Sequence, residues 1–200
     1  SENNGIRVTG QGVVVVEPDL AVLSLGVEAR EATVSAARDS ASQSMTRVIT
    51  MLKGQGVNDD DIRTTRFNIQ PITVYLERNK NNYNYSEPKI IGYLVTNQLS
   101  IKIRNLDNTG ALLDDAVSVG GDLIRVRGIS FTVEDPGPYS VKARELAVRD
   151  AIGKAEQLAS LTDIVLGNLV YITVTGGTPA PLVYDAPFAR AEASYAAAPT

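Results

Sequence analysis

The chain of 200 residues is 44% hydrophobic and 21% charged, an ordinary globular composition that excludes a disordered chain as its main state. Its net charge of −4 leaves no overall basic field to hold phosphates, so we expect no nucleic-acid partner. Histidine and cysteine are absent, which excludes imidazole bases, thiolate nucleophiles and the usual zinc, copper and iron sites within this chain.

The first quarter of the chain predicts strands followed by a helix. Two apolar segments, Ile6–Thr9 and Val13–Glu17, form a first predicted strand that Gly10-Gln11-Gly12 bends. Apolar residues then alternate from Ala21 to Glu28, which is typical of a half-buried strand. The spacing switches to that of a helix over residues 32–53.

The middle of the chain predicts two further strands. The first passes through Thr65 and Tyr75, and Pro71 within it indicates an edge strand or a bulge because proline cannot donate to a ladder. Residues 77–89 are rich in asparagine and are expected to leave the sheet as an excursion. The second strand, from Tyr93 to Arg104, alternates cleanly between apolar and polar residues.

The second half of the chain predicts two helices and two strands. A short helix follows Asp107 and ends at Gly120-Gly121. In the next strand the apolar pattern changes parity at Gly128, which predicts a β-bulge. A long helix is predicted from about Ser140 to Leu161, and a last strand from Leu169 to Val174.

The long helix has alanine at every fourth position along one face, which we call the alanine stripe. Its members are Ala143, Ala147, Ala151, Ala155 and Ala159. Such small side chains let the backbone of a neighbouring element approach closely. We therefore predict that this stripe belongs to the core.

The predicted order is ββαββαβαβ, which indicates an α+β fold with helices against a mostly antiparallel sheet. We expect one domain over residues 5–176. Residues 177–200 are rich in proline and alanine, without periodicity, and are predicted to be a linker or a segment ordered by a partner.

Four tyrosines around the asparagine-rich excursion are the candidate interface residues: Tyr75, Tyr83, Tyr85 and Tyr93. Aromatic side chains with a polar tip are favoured at interfaces. A disordered hairpin loop with partly exposed tyrosines is the alternative interpretation. No catalytic, cofactor or metal residues are predicted: Asp59-Asp60-Asp61 lacks the ligand spacing of a calcium loop and suits a turn or cap. A serine nucleophile would need a lysine partner, and no Ser-x-x-Lys precedes a predicted helix.

The order and spacing of several short motifs resemble the SIMPL-domain family over nearly the whole chain. The motifs are Val8-Thr9-Gly10-Gln11-Gly12 with Pro18-Asp19, Gly56-Val57 with Ile62 and Thr64, Phe67-Asn68-Ile69-Gln70-Pro71 with Tyr75, Gly92-Tyr93 with Asn97 and Leu99, Leu113-Asp114 with Gly120, and Ala143-Arg144 with Ala147, Ala151, Lys154 and Ala155.

The resemblance implies a bacterial periplasmic or secreted protein that is linked to stress tolerance and forms large homo-oligomers. It implies no catalytic set. The longest purely aliphatic run, residues 13–16, is far short of a membrane span, and a chain that starts at Ser1 without a signal region is expected to be a mature form. Family members usually end in a valine-rich strand, whereas this sequence stops in Ala-Ala-Ala-Pro-Thr.

The leading hypothesis is therefore a non-enzymatic extracytoplasmic protein that acts by assembling with itself or by binding other envelope proteins. The alternative hypothesis is a small-ligand-binding or weakly hydrolytic domain that uses the tyrosine-rich loop.

Overall fold

The structure, a computed structural model, describes residues 5–176. The chain divides into two compact units, one of residues 18–132 and one formed by residues up to 17 together with those from 133 onward. The prediction of a single domain over residues 5–176 stays a prediction, and the predicted tail 177–200 lies outside the described residues. The helices and strands, in chain order, are β1 (Leu20–Glu31), α1 (Val34–Gly54), β2 (Ile62–Lys80), β3 (Tyr83–Ile103), α2 (Thr109–Gly120), β4 (Ile124–Thr132) and α3 (Gly137–Leu161).

The unit of residues 18–132 is a four-stranded antiparallel sheet with α1 and α2 on one face. The strands lie in the order β2-β3-β1-β4. In β1, every second residue from Ala21 to Ala29 is fully buried on the helix side. Because side chains of a strand alternate between faces, the residues between them lie on the other face of the sheet.

Helix α1 supplies much of the opposing half of the core. The side chain of Thr33 caps its first turn by accepting a hydrogen bond from the Ala36 N–H. At helical spacing, Ala37, Ala41, Met45, Val48 and Leu52 are buried against the sheet. The buried Ser44 hydroxyl donates to the Gly120 carbonyl at 2.8 Å, which satisfies a carbonyl at the end of α2.

Strands β2 and β3 form a hairpin that extends far beyond the core. Its turn is Asn81-Asn82, with φ angles of 54° and 63°. Two adjacent residues with positive φ are typical of a type I′ turn, and asparagine tolerates that conformation better than most residues. The prediction that residues 77–89 leave the sheet is therefore wrong, because the asparagines make the tip of a regular hairpin.

The two irregularities predicted for the sheet are confirmed. Gly128 has a φ of 150°, and the pairing of β1 with β4 shifts register between Ser24 and Leu25, opposite this residue. Pro71 lies in β2, which is an edge strand, and the register of β2 shifts again between Ile72 and Thr73.

The α+β class is confirmed, and the element order differs at both ends. Within residues 5–176 the order is βαββαβα, because neither Ile6–Glu17 nor Leu169–Val174 forms a strand. A strand is defined by its hydrogen-bonded ladder, and the described residues provide neither segment with such a partner. The long helix is confirmed and begins three residues earlier than predicted.

Candidate functional site

Three of the four predicted interface tyrosines lie on the part of the β2–β3 hairpin outside the core, residues 73–90, which we call the tyrosine hairpin. Tyr75 and Tyr83 are 69% and 72% exposed, and Tyr85 is also exposed. Tyr93 is different because it is half-buried and packs against the core cluster. The structure therefore brings three of the four predicted residues to one surface element and places the fourth at its base.

The tyrosines of the hairpin do not converge on one point. Tyr75 pairs with Pro88, while Tyr83 and Tyr85 pair with Lys80 and Arg78. Partners share a face and alternate residues change face, so Tyr75 lies on one side of the ribbon and the other two tyrosines lie on the opposite side. This arrangement can present aromatic surface to two neighbours, and it does not form a pocket that the three hydroxyls could line together.

Further apolar side chains extend this exposed surface, and the sequence interpretation missed them. Phe67, Ile69, Ile90 and Ile91 are all more than a third exposed. Phe67 and Ile69 lie on the same face of the sheet as the buried Val95. They remain exposed on the edge strand β2, which pairs with β3 on one side only. Their alternation was a signal for a strand, but nothing in the sequence indicated that the helices leave this part of the face uncovered.

In the other unit, residues 6–17 run extended along the alanine stripe of α3. Burial alternates along the segment: the even-numbered residues from Ile6 to Val16, Gly10 and Gly12 among them, are half-buried, and the odd-numbered residues are exposed. A Cβ added at Gly10 would lie 1.9 Å from the Ala147 carbonyl oxygen, and one at Gly12 would lie 1.8 Å from that of Ala143. The prediction that a backbone approaches the stripe closely is confirmed. The prediction that the stripe belongs to the core holds for Ala159 alone, because the other four alanines are half-buried.

Two polar contacts fix this segment on α3. The Gln11 N–H donates to Oδ2 of Asp150 at 2.8 Å, and Nζ of Lys154 donates to the Thr9 carbonyl at 3.0 Å. Lys154 also pairs with Asp150. The hydrogen bond from Lys154 and then that from Gln11 lower the pKa of the Asp150 carboxyl, so it stays charged and holds the glycine segment in place.

After α3, residues 164–174 form neither a helix nor a strand and expose large apolar side chains. Val165 and Val170 are 91% and 93% exposed, and Tyr171 is similarly open. Contiguous exposed apolar surface of this kind marks an interaction site. The predicted strand Leu169–Val174 lies in this segment. Its apolar residues are those that the sequence pattern pointed to, but they do not form a strand.

Several acidic residues of the described part of the chain lie in turns and ion pairs. Asp59–Asp61 is a single 3-10 turn, in agreement with the turn predicted there. The Asp61 carboxylate pairs with the Arg104 guanidinium, with Nη2 to Oδ1 at 3.1 Å. That hydrogen bond holds the pKa of Asp61 below its ordinary value against the opposing effect of burial. Among residues 5–176 there is no group of three His, Cys, Asp or Glu side chains that could hold a metal ion.

No helix of residues 5–176 is long and apolar enough to cross a membrane.

Comparison with known proteins places this architecture in a family. Residues 6–200 match the SIMPL family, described as a protein of unknown function. The chain is 37% identical over 191 residues to the 26 kDa periplasmic immunogenic protein of Brucella melitensis, covering 94% of this chain and 71% of that protein, and 36% identical to its namesake in Brucella abortus. It is 28% identical over 182 residues to the uncharacterized protein YggE of Escherichia coli K12, covering 89% of this chain and 69% of that protein. The chain therefore belongs to the SIMPL family.

Proposed function

We propose that this protein acts outside the cytoplasm by assembling with copies of itself or with other envelope proteins, and that it is not an enzyme. The extracytoplasmic location is supported by the two Brucella relatives, which are named as periplasmic proteins. The observation that carries the assembly is the exposed aromatic and aliphatic surface of the tyrosine hairpin.

Exposure of the apolar surface of the hairpin to water is unfavourable in free energy. Four large apolar or aromatic residues there each expose more than half of their surface: Tyr75, Tyr83, Ile90 and Ile91. Burying one such side chain contributes about 1.5–3 kcal/mol. A two-stranded ribbon beyond the core has little apolar packing of its own, so a second surface that covers it would also stabilise its conformation.

The two faces of the hairpin suit an assembly of more than two copies. Tyr75 lies on one face and Tyr83 on the other, so one hairpin can contact two neighbours. The edge strand β2 adds unpaired backbone groups on the side away from β3. Main-chain pairing along such an edge supplies affinity with little demand on side chains.

Light scattering over a range of protein concentrations tests this proposal. We expect the mass of the wild-type protein to rise above 21.4 kDa in steps of that mass. In the double variant Tyr75→Ser/Tyr83→Ser the same assembly should need about a hundredfold higher concentration, because two buried aromatic anchors are removed.

Tyr139→Ser is the matched control, because Tyr139 is also exposed but lies in α3 outside the hairpin. This control should assemble like the wild type. A wild-type protein that stays at 21.4 kDa at every concentration, with no partner retained from an envelope extract, would contradict the proposal. Equal masses for wild type and double variant would contradict the part given to the tyrosine hairpin.

The role in stress tolerance that the family resemblance implies is part of the same proposal. A strain that lacks the protein should survive oxidative challenge less well than its parent. Complementation by the wild type but not by Tyr75→Ser/Tyr83→Ser would connect survival to assembly. Equal survival with and without the gene would remove the stress role.

A further inference from the structure

The face of the sheet turned away from α1 and α2 carries a concentration of positive charge that the acidic composition conceals. In the part of the sheet that β1 spans, pairing and alternation place six basic side chains on this face and one acidic side chain, Glu28, whereas the whole chain has 19 basic and 23 acidic residues. The six are Arg30, Arg63, Arg66, Lys102, Arg125 and Arg127.

Four of these charges line the two sides of a shallow channel, which we call the basic trough, while Arg30 and Lys102 lie on the inner strands β1 and β3. Arg63 and Arg66 lie on the outer strand β2, and Arg125 and Arg127 lie on the other outer strand, β4. Between them, the inner strands present a floor of small polar groups: Ser24, Gly26, Thr96, Gln98 and Ser100. One row of the sheet runs Arg66–Gln98–Gly26–Arg125. Three strand spacings separate its ends, so the backbones of the two walls are about 14 Å apart.

The two walls differ in how their charge is compensated. Arg127 donates to Oε1 of Glu28 at 2.8 Å, and Nε of Arg125 lies 3.4 Å from Oε2 of the same carboxylate. Arg63 and Arg66, and Arg30 at the end of the trough, have no ion-pair partner among residues 5–176. Like charges held together on a sheet repel, so an anion bound at the β2 wall would relieve this repulsion.

The floor determines which anion fits. It offers hydroxyl groups and an amide, each able both to donate and to accept hydrogen bonds, and Gln98 and Ser24 already lie within hydrogen-bond distance of each other. The basic trough has no aromatic side chain on which a nucleic-acid base could stack. It also has no fully exposed large apolar side chain that could enter a membrane, since Val22 and Leu94 are half-buried.

We propose that the basic trough binds an acidic polysaccharide, with Arg63 and Arg66 contacting carboxylate groups and the polar floor contacting sugar hydroxyls. A linear chain fits a channel that is about 27 Å long over five rows of side chains. The guanidinium groups can form the planar, bidentate hydrogen bonds with carboxylates that arginine favours. The proposal requires no assembly, because all of these residues belong to one sheet.

Fluorescence anisotropy with labelled polygalacturonate oligomers and the full chain tests the proposal. We expect saturable binding that weakens as salt is raised, because the contacts are exposed charge pairs. Arg63→Ala/Arg66→Ala should bind about tenfold more weakly. Arg63→Lys/Arg66→Lys should recover part of this loss, because it keeps the charge but not the guanidinium geometry.

Arg38→Ala is the matched control, because Arg38 is an exposed arginine on α1, which packs on the other face of the sheet. It should bind like the wild type. Neutral dextran, inorganic polyphosphate, oligothymidylate and phosphatidylglycerol vesicles serve as competing probes. The proposal is overturned if polygalacturonate does not bind, if Arg38→Ala weakens binding as much as the β2-wall variant does, or if any competing probe binds more tightly. A loss of self-association in Arg63→Ala/Arg66→Ala, with glycan binding unchanged, would assign the basic trough to a second copy instead.

Discussion

Two glycines decide whether the extended segment of residues 6–17 can lie on α3. A side chain at Gly12 would meet the backbone of Ala143 and Ala147, which cannot move without distorting the helix. We therefore expect Gly12→Val to lower the free energy of unfolding of this unit by about 1–3 kcal/mol. Limited proteolysis should also cleave residues 6–17 faster in the variant.

Gly153→Ala is the control for this substitution, because it lies in the same helix and an added Cβ there meets no atom within 4 Å. Alanine in an exposed helix interior is more favourable than glycine by about 0.8–1.0 kcal/mol, so this variant should be slightly more stable. If Gly12→Val and Gly153→Ala were cleaved at the same rate, the segment would not depend on close packing.

The ion pair of Asp61 with Arg104 makes a contribution to stability that depends on pH. The pKa of Asp61 is lower in the folded protein than its ordinary value of 3.8, first because of the hydrogen bond from Arg104. The contribution is therefore complete above the unfolded pKa and disappears as pH falls through the folded pKa. We expect Asp61→Asn to cost about 1 kcal/mol at pH 7, since the arginine is half exposed, and progressively less below about pH 4.

Denaturant unfolding of the wild type and the variant at several pH values measures this difference. Asp60→Asn is a suitable control because Asp60 is the exposed neighbour in the same turn. It should leave the unfolding free energy unchanged at every pH. A difference for Asp61→Asn that stays constant from pH 7 to pH 3 would show that the carboxylate charge is not responsible.

At the scale of elements, we expect the stability of the hairpin to be independent of the stability of the core. Asn82 has a φ of 63°, where a β-branched residue is strained. We expect Asn82→Val to cost about 1–2 kcal/mol locally, and Asn82→Gly to cost nothing, because glycine adopts this conformation freely. Hydrogen exchange should show lost protection in residues 73–90 of the valine variant and unchanged protection in residues 95–103. Lost protection in both regions would mean that the hairpin and the core unfold together.

Elements whose signal is local could be predicted from the sequence. Helix α1, helix α3, the bulge at Gly128 and the close backbone contact of the alanine stripe each follow from spacing within a few residues. The hairpin could not be predicted in full, because an asparagine-rich segment fits a loop and a type I′ turn equally well until the pairing of its flanks is known.

Properties that depend on distant residues were missed. Residues 6–17 and 169–174 alternate like strands, but alternation predicts an extended conformation and says nothing about a ladder partner. The basic trough is similarly hidden, because its arginines come from three separate strands and its lysine from the fourth, and only the sheet order brings them together. The net charge of −4 is a correct description of the whole chain, but it does not predict the positive charge of this one surface.

At the scale of the whole molecule, the exposed segment after α3 extends the assembly proposed for the hairpin. Residues 164–174 keep large apolar side chains in water, and Val165 and Val170 gain most from being covered. Burying one valine contributes about 1.5–3 kcal/mol, which corresponds to at least a tenfold change in association. We expect Val165→Asn/Val170→Asn to raise the concentration at which the mass increases, with the melting temperature of the monomer unchanged.

Thr173→Asn is the control, because it introduces the same side chain at a polar, exposed position of the same segment. It should assemble at the wild-type concentration. The double variant also distinguishes contacts between copies from contacts within one chain. Both valines are almost fully exposed in the structure, so replacing them should not weaken the fold of a single chain. If the substitutions lower the melting temperature at a concentration where the protein is a monomer, these residues pack within their own chain in solution. If mass and melting temperature both stay unchanged, the segment has no part in assembly, and the tyrosine hairpin remains as the surface that must account for it.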